Sequence, residues 1–340
     1  MNIYVAGSMA YDEIMDFPHH FKDYFHPEKL HQINVSFAVD KLAKHLGGIT
    51  TNIAYSLRQT LDYINGDERL DSRLRGNDNF KIYPVAAVGR DGGELIEFFK
   101  ANNIDITYVQ QDKKLYTATG KVITDKNDNQ IWGFYYGACA LIPKLLTINQ
   151  QPSTNDHSDF WIVSATHEKP FTAVLKHVIK NKLPYMFDPG MTLTWIRDDM
   201  LKKGVLNATY VVGNDYEIAM VEKRIKMTVK EITQEGVNVI TTLGEKGVEF
   251  VKSVKSVESV KSVESNIKVK AVRVKKVVDP TGAGDAWRGG FVGALVAGKS
   301  MEECLVMGNV MASFAVENVG TVEYKVSKSE IEKRIRSISK

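Results

Sequence analysis

An aspartate set just behind three small residues at the start of a helix can act as a base beside an anion site, and residues 277–298, VVDPTGAGDAWRGGFVGALVAG, carry that pattern. Val277 and Val278 end a strand, Asp279 and Pro280 make a turn, and Thr281, Gly282, Ala283 and Gly284 lead into an apolar-periodic helix with Asp285 in its first turn. Small residues let the backbone approach a ligand closely, the first amides of a helix lack internal partners, and the helix dipole favours negative charge there. Such a site would hold a transferring phosphoryl group while Asp285 accepts the proton of an attacking hydroxyl. On these residues alone, Asp285 could equally be a helix-capping carboxylate and the glycines turn residues.

Other candidates are spread along the chain. Residues 46–57, LGGITTNIAYSL, set Gly47 and Gly48 before a helix that carries Asn52 early; this is also the composition of an ordinary loop and cap. Asp12 follows the first strand in AGSMAYDEI, Asn214 and Glu217 stand in GNDYE, and Thr242, Gly244 and Gly247 stand in TTLGEKG. Residues 293–300, GALVAGKS, match the phosphate-loop pattern GxxxxGK[ST], but the context is wrong. Residues 293–297 continue the helix begun near Asp285 and Gly298 reads as its stop, which would put Lys299 roughly 20 Å from Asp285 at 1.5 Å per residue. Eight histidines show no HExxH or similar spacing, so a zinc site is unsupported. Trp132, Phe134, Tyr135 and Tyr136 could stack on a ring, yet strand aromatics more often pack in a core or lid seam.

Positioning these groups requires a scaffold of alternating elements. Short apolar runs at 3–6, 83–88, 160–163, 210–212 and 237–241, and around Phe250, read as buried strands, and amphipathic stretches at 51–59, 94–101, 171–180 and 216–223 read as helices. That alternation predicts an α/β fold with a mostly parallel sheet, which binds ligands at the C-terminal edge of its strands. Segments 17–40 and 116–136 break the rhythm and suggest antiparallel hairpins outside that sheet, forming a small lid. Residues 251–265 repeat a triplet, VKSVKSVESVKSVES, whose period fits neither strand nor helix, and 67–80 are charged and Gly/Asn-containing; both read as exposed insertions.

A chain of 340 residues with 44% hydrophobic residues can bury one large core. Its formal charge of +3, from 44 basic and 41 acidic residues scattered along the chain, gives no reason to expect a nucleic-acid partner. Cys139 and Cys304 stand far apart without a CxxC pairing, and the N-terminus lacks the pattern of a signal peptide. No apolar run is long enough to span a membrane, and the two unpaired cysteines lead us to expect a reducing cytoplasm.

The 279–285 run is similar to the C-terminal signature DTxGAGD of the PfkB, or ribokinase-like, superfamily of carbohydrate kinases. Asp279, Thr281, Gly282, Ala283, Gly284 and Asp285 match, while Pro280 stands where the signature has Thr, removing a hydroxyl but suiting a turn that enters a helix. The resemblance implies that Asp285 is the catalytic base and that the 282–284 backbone is the anion hole. LGGITTN resembles the N-terminal signature, which implies sugar contacts from Gly47, Gly48 and Asn52, with Asp12 binding a diol through both oxygens. Asn214 and Glu217 resemble the NxxE motif that organises phosphate and magnesium, Glu217 acting through water because magnesium dehydrates reluctantly. Thr242, Gly244 and Gly247 resemble the nucleotide-contacting strand and loop, and Asn309 is carried over as a further ATP contact.

The resemblance implies a single three-layer ribokinase-like domain over residues 1–340, with a β-stranded lid from about 13–40 and 112–137. ATP and Mg2+ are the implied cofactors, no side chain ligates metal directly, and a monovalent cation is left open. AGSMAYDEIMDFP, INVSF, GGITTNIAYSL and ASFAVENVGT look like the bacterial and archaeal adenosine or nucleoside kinase branch. That implies phosphorylation of adenosine at its 5′-hydroxyl by a monomer or homodimer. A kinase of free ribose or fructose and a non-catalytic nucleoside-binding protein are the alternatives.

Overall fold

The computed structural model describes residues 1–25, 32, 34–66, 80–127, 129–147, 159–253 and 266–338. In chain order its strands are β1 (Asn2–Ala6), β2 (Ala10–Asp16), β3 (Lys41–Gly47), β4 (Lys81–Val88), β5 (Val109–Gln111), β6 (Ala118–Thr124), β7 (Gln130–Tyr135), β8 (Phe160–Ser164), β9 (Tyr185–Asp188), β10 (Tyr210–Asn214), β11 (Asn238–Thr242), β12 (Val248–Val251) and β13 (Asn266–Val269). The helices are α1 (Ile49–Asn65), α2 (Gly93–Ala101), α3 (Lys144–Thr147), α4 (Glu168–Lys180), α5 (Asp198–Leu206), α6 (Asp215–Ile225), α7 (Val229–Gln234), α8 (Ala283–Val296), α9 (Met301–Ala315) and α10 (Lys328–Ile338).

Nine strands form the main sheet in the order β13-β12-β11-β10-β9-β8-β1-β4-β5. The pairs from β11 through β5 are parallel, and β12 runs antiparallel to both its neighbours. Strand periodicity divides the core in two. Ile3 and Val5 face a layer built on α1, α8 and α9 (Ile53, Leu57, Phe291, Val310), whereas Tyr4 and Ala6 face one built on α4 to α7 (Phe171, Leu201, Val221, Ile232). A sheet buried on both faces needs the near-continuous apolar runs that the sequence shows. The α8 helix lies unusually close to α1, because a side chain at Gly289 would place its Cβ 2.7 Å from the Ile53 carbonyl.

A second sheet, ordered β3-β2-β6-β7, stands apart from the first. The β6–β7 pair is the hairpin expected within 116–136. The expectation for 17–40 needs correction: the antiparallel strands are β2 and β3, which flank that segment, and its described residues form a 3-10 turn at Phe21–Asp23 and irregular chain. Phe17, Phe21, Tyr24 and Phe37 cluster there through ring contacts. Of the two segments read as insertions, 67–79 and 254–265 lie outside the described residues. Phe80 is buried in the core and Val251 closes β12, so neither belongs to an exposed extension. No helix among the described residues is long and apolar enough to cross a membrane.

Candidate active site

The functional candidates gather where the C-terminal ends of the main-sheet strands meet the second sheet. Strand β1 ends at Ala6, and Ser8 beyond it receives the first turn of α1: its Oγ accepts from the Ile49 N–H at 3.3 Å and its carbonyl from the Thr50 N–H at 2.9 Å. Gly48 makes the sharp passage from β3 into α1 with φ of +87°, a conformation that favours glycine. One uninterrupted stretch therefore carries a lid strand, the Gly pair and Asn52.

Helix α8 opens as its sequence demands. Asp279 Oδ1 accepts from the Thr281 N–H at 2.9 Å, fixing the turn, and Gly282 serves as N-cap with φ of +76°, packed against Thr321. The N–H groups of Gly284 and Asp285 then lie in the first turn, where no carbonyl four residues back is available. Ala283 departs from the expected anion hole: its N–H is turned to the Pro280 carbonyl at 3.3 Å.

Asp285 is partly buried and held by Asn52, whose Nδ2 donates to Oδ2 at 2.8 Å. Asn52 is 5% exposed and accepts from the Thr321 hydroxyl at 2.6 Å, so its amide orients the aspartate, with a second Nδ2 hydrogen to offer a ligand. Burial pushes the Asp285 carboxyl up to about 7, against the pull of Arg288 and the Asn52 hydrogen bond, while Asp188 and Glu217 add to the rise. A carboxyl so placed is poised to gain and lose a proton near neutrality.

Two charged residues of this network were missed by sequence reasoning. Arg288, one helical turn beyond Asp285, donates to Asp188 Oδ1 at 2.6 Å, and both are buried. Arg288 had a signal, the spacing of three from Asp285 on one helix face. Asp188 had little, since it ends the short strand β9, which has few residues to show a pattern. Glu217 completes the group through its charge. Its carboxyl is raised by burial, opposed by a bond from the Asn214 N–H at 2.8 Å, and Asn214 Oδ1 reciprocally caps α6 by accepting from the Glu217 N–H.

Asp12 occupies a slot between two glycines on the second sheet. A Cβ at Gly47 would fall 2.3 Å from Asp12 Oδ2, and one at Gly120 would fall 3.0 Å from Oδ1. Burial raises the Asp12 carboxyl, with His45 opposing and Asp279 adding to the rise. Trp132 and Phe134 flank the same Gly120, their rings 3.3 and 3.6 Å from that Cβ position, and they stand 54% and 44% exposed on the sheet face that Asp12 occupies. Exposed rings beside a carboxylate fit a ligand surface better than a core seam.

On the far side of the sheet edge, Thr242 ends β11 with its hydroxyl 3.4 Å from the Gly213 carbonyl, and Gly244 and Gly247, at φ of +57° and +98°, turn the chain into β12. Asn309 is not available to a nucleotide in the expected manner. It is 6% exposed, accepts from Trp287 Nε1 at 2.9 Å, and donates to the carbonyls of Val269 and Lys270, clamping α9 to α8 and the end of β13. Among the described residues, no three His, Cys, Asp or Glu side chains converge as metal ligands. Lys299 lies beyond the far end of α8, where Gly298 at φ of +72° stops the helix and Ser300 caps the next. A cavity of about 600 Å³ opens there between α1, α8, α9 and α10, at the opposite end of α8 from Asp285.

A mostly parallel nine-stranded sheet with helices on both faces and a smaller second sheet at the C-terminal ends of its strands defines a ribokinase-like kinase fold. The chain belongs to the pfkB family of carbohydrate kinases, whose family model matches residues 8–328, and it is an ATP-dependent kinase acting on a hydroxyl acceptor. It is 26% identical over 300 residues to a nucleoside kinase of Methanocaldococcus jannaschii, covering 87% of each chain. Among solved structures, it is similar to the ligand-free nucleoside kinase of Burkholderia thailandensis, with a TM-score of 0.75, 26% identity and coverage of 98% of this chain and 99% of that one. The same enzyme in complex with inosine matches with a TM-score of 0.75 and 25% identity, over 98% of this chain and 97% of that one.

Proposed function

We propose that the chain phosphorylates the 5′-hydroxyl of a nucleoside, adenosine before others, with Asp285 as the base. The observation that carries the nucleoside reading is the joint placement of Asp12, Trp132 and Phe134 around Gly120. A carboxylate suits a ribose diol and the adjoining rings suit a flat base, for which a free sugar would have no use. The relatives named nucleoside kinases, one of them holding inosine, support the same choice.

In this reading, Asp12 and the Gly47–Gly48 turn hold the ribose so that its 5′-oxygen reaches Asp285. Asp285 takes the hydroxyl proton as the oxygen attacks the γ-phosphorus and the bond from that phosphorus to the β–γ bridging oxygen breaks, so that ADP leaves, while the Gly282 and Gly284 amides receive the negative charge gathering on the phosphoryl oxygens. The Arg288–Asp188 pair fixes a cation near the base without exposing it to solvent. Asn214, Glu217, Thr242, Gly244 and Gly247 line the nucleotide side. Magnesium, bound to the ATP phosphates, would neutralise their charge, with Glu217 meeting its water shell. Approach of the small sheet excludes water, which restrains transfer to water in place of the acceptor.

The test is ADP release from MgATP with adenosine, inosine, cytidine, ribose and fructose. Turnover highest with a purine nucleoside is expected. Turnover with ribose or fructose alone would overturn the acceptor and keep the chemistry, and tight nucleoside binding without turnover would make the chain a binding protein.

A further inference from the structure

His45 lies directly across from Asp12 in the β2–β3 register, on the sheet face that carries the acceptor slot. Its Nδ1 stands 2.5 Å from Glu323 Oε1, and the ring is 13% exposed. The other ring nitrogen, Nε2, is buried and has no hydrogen-bond partner among the described residues. Leaving a buried imidazole nitrogen unpaired costs folding free energy, so a position that retains one invites a functional account.

The surroundings are built around this imidazole–carboxylate pair. Gly320, at φ of +79°, adopts a conformation that favours glycine, and a Cβ there would press on the pair, 3.0 Å from His45 Nδ1 and 3.1 Å from the Glu323 carboxyl. The next residue, Thr321, touches Asn52 and lies 3.1 Å from the Leu46 carbonyl, and the Gly320 N–H donates to Asp279 Oδ2 at 3.3 Å. One short strap thus contacts the α8 turn, the residue that holds Asp285 and the strand that carries His45. The charged groups facing His45 are Asp12 on β2, Glu323 on the strap and, behind Asp12, Asp279 on the α8 turn.

We propose that His45 is a positioning residue for the acceptor: Glu323 fixes its ring through Nδ1, and when the acceptor binds, Nε2 and the Asp12 carboxyl come together through one shared proton that orients Asp12 towards the sugar diol. Gly47 and Gly120 bound that carboxylate on two sides, and His45 supplies the wall that can hydrogen-bond it. This inference rests on the reading of Asp12 as the diol-binding residue.

Two isosteres separate the nitrogens, because an asparagine amide falls near the Nδ1 position and a glutamine amide near Nε2. In His45→Asn the tie to Glu323 is kept and the group facing Asp12 is lost; in His45→Gln the reverse holds. Steady-state kinetics are measured with whichever acceptor the wild type turns over, so a wrong choice between nucleoside and sugar sinks the preceding proposal without touching this one. His45→Asn is expected to raise the acceptor KM about ten- to a hundredfold with the ATP KM and kcat little changed, and His45→Gln to recover most of it. The proposal is overturned if His45→Asn behaves as wild type, if His45→Gln is no better than His45→Asn, or if kcat falls and both KM values rise together with a drop in melting temperature.

Discussion

Replacing Asp285 by Asn should remove activity and, at the same time, make the protein more stable at alkaline pH than at acid pH relative to the wild type. Asn keeps the volume and can still accept the hydrogen bond from Asn52 Nδ2, but it carries no charge into the partly buried start of α8. The wild-type carboxyl is pushed from its ordinary 3.8 up to about 7, mainly by burial. Between those values, the folded state keeps a proton that the unfolded chain has released. Stability contributed by this group is therefore fully present below 3.8, falls as pH rises towards 7 and is lost above it.

At about 1.4 kcal/mol for each tenfold in proton affinity, the loss between pH 5 and pH 8 is about 2–3 kcal/mol. With an unfolding entropy of about 0.7 kcal/mol/K for a chain this long, that corresponds to a shift of about 3–4 °C. The assay is thermal unfolding of wild type and Asp285→Asn at both pH values, taking the difference of differences so that every other titrating group cancels. The gap between variant and wild type should widen by that amount in favour of the variant at pH 8. An equal gap at the two pH values would refute the claim that Asp285 is held protonated by its surroundings. The same variant should lose between about 10² and 10⁴ in kcat with bound substrate retained.

Gly47→Ala forces a methyl group into the position 2.3 Å from Asp12 Oδ2, so the acceptor KM should rise at least tenfold while the ATP KM holds, as initial-rate kinetics would read. In the wild type, kcat/KM should fall about tenfold per pH unit below about 7, as the base protonates. Asp188→Asn removes a like charge from near Asp285 and frees Arg288 to act on it, moving that acid limb to lower pH; the unpaired buried Arg288 should also cost about 3–5 kcal/mol in denaturant unfolding. Lys299→Ala should leave turnover within about twofold, because Lys299 lies past the distal end of α8, and a large loss would reinstate the phosphate-loop reading of 293–300.

The parts of the site that could be read in the sequence are those whose residues are contiguous. The 279–285 run spells out a turn, a left-handed Gly and a helix start in seven positions, and the structure builds each in order. Asn214 and Glu217 form a capping box within four residues, which is local chemistry as well. Strands β2 and β3 were harder. AYDEIMD and KLAKHLG belong to a thin sheet with both faces partly exposed, so neither carries the apolar alternation that marks a strand packed on a core. The sequence reading therefore sets the hairpin on 17–40, the segment that these two strands flank. Trp132 and Phe134 were visible as residues, but the same alternation fits a core seam or an open face; only the pairing of β6 with β2 puts them beside Asp12.

What stayed illegible is the long-range contact that turns those pieces into a charged site. Arg288 meets Asp188 across 100 residues, Asn52 meets Asp285 across 233, and His45 meets Glu323 across 278. No local pattern encodes such pairs, since each partner alone is an ordinary polar residue at the end of a strand or the start of a helix. The case of Asn309 runs the other way. The resemblance carries it over as a nucleotide contact, yet a buried amide must satisfy its hydrogen bonds, and in this fold Trp287, Val269 and Lys270 take them. A polar residue on an apolar helix therefore signals a hydrogen-bond obligation, and the surrounding fold decides whether a ligand or the protein meets it.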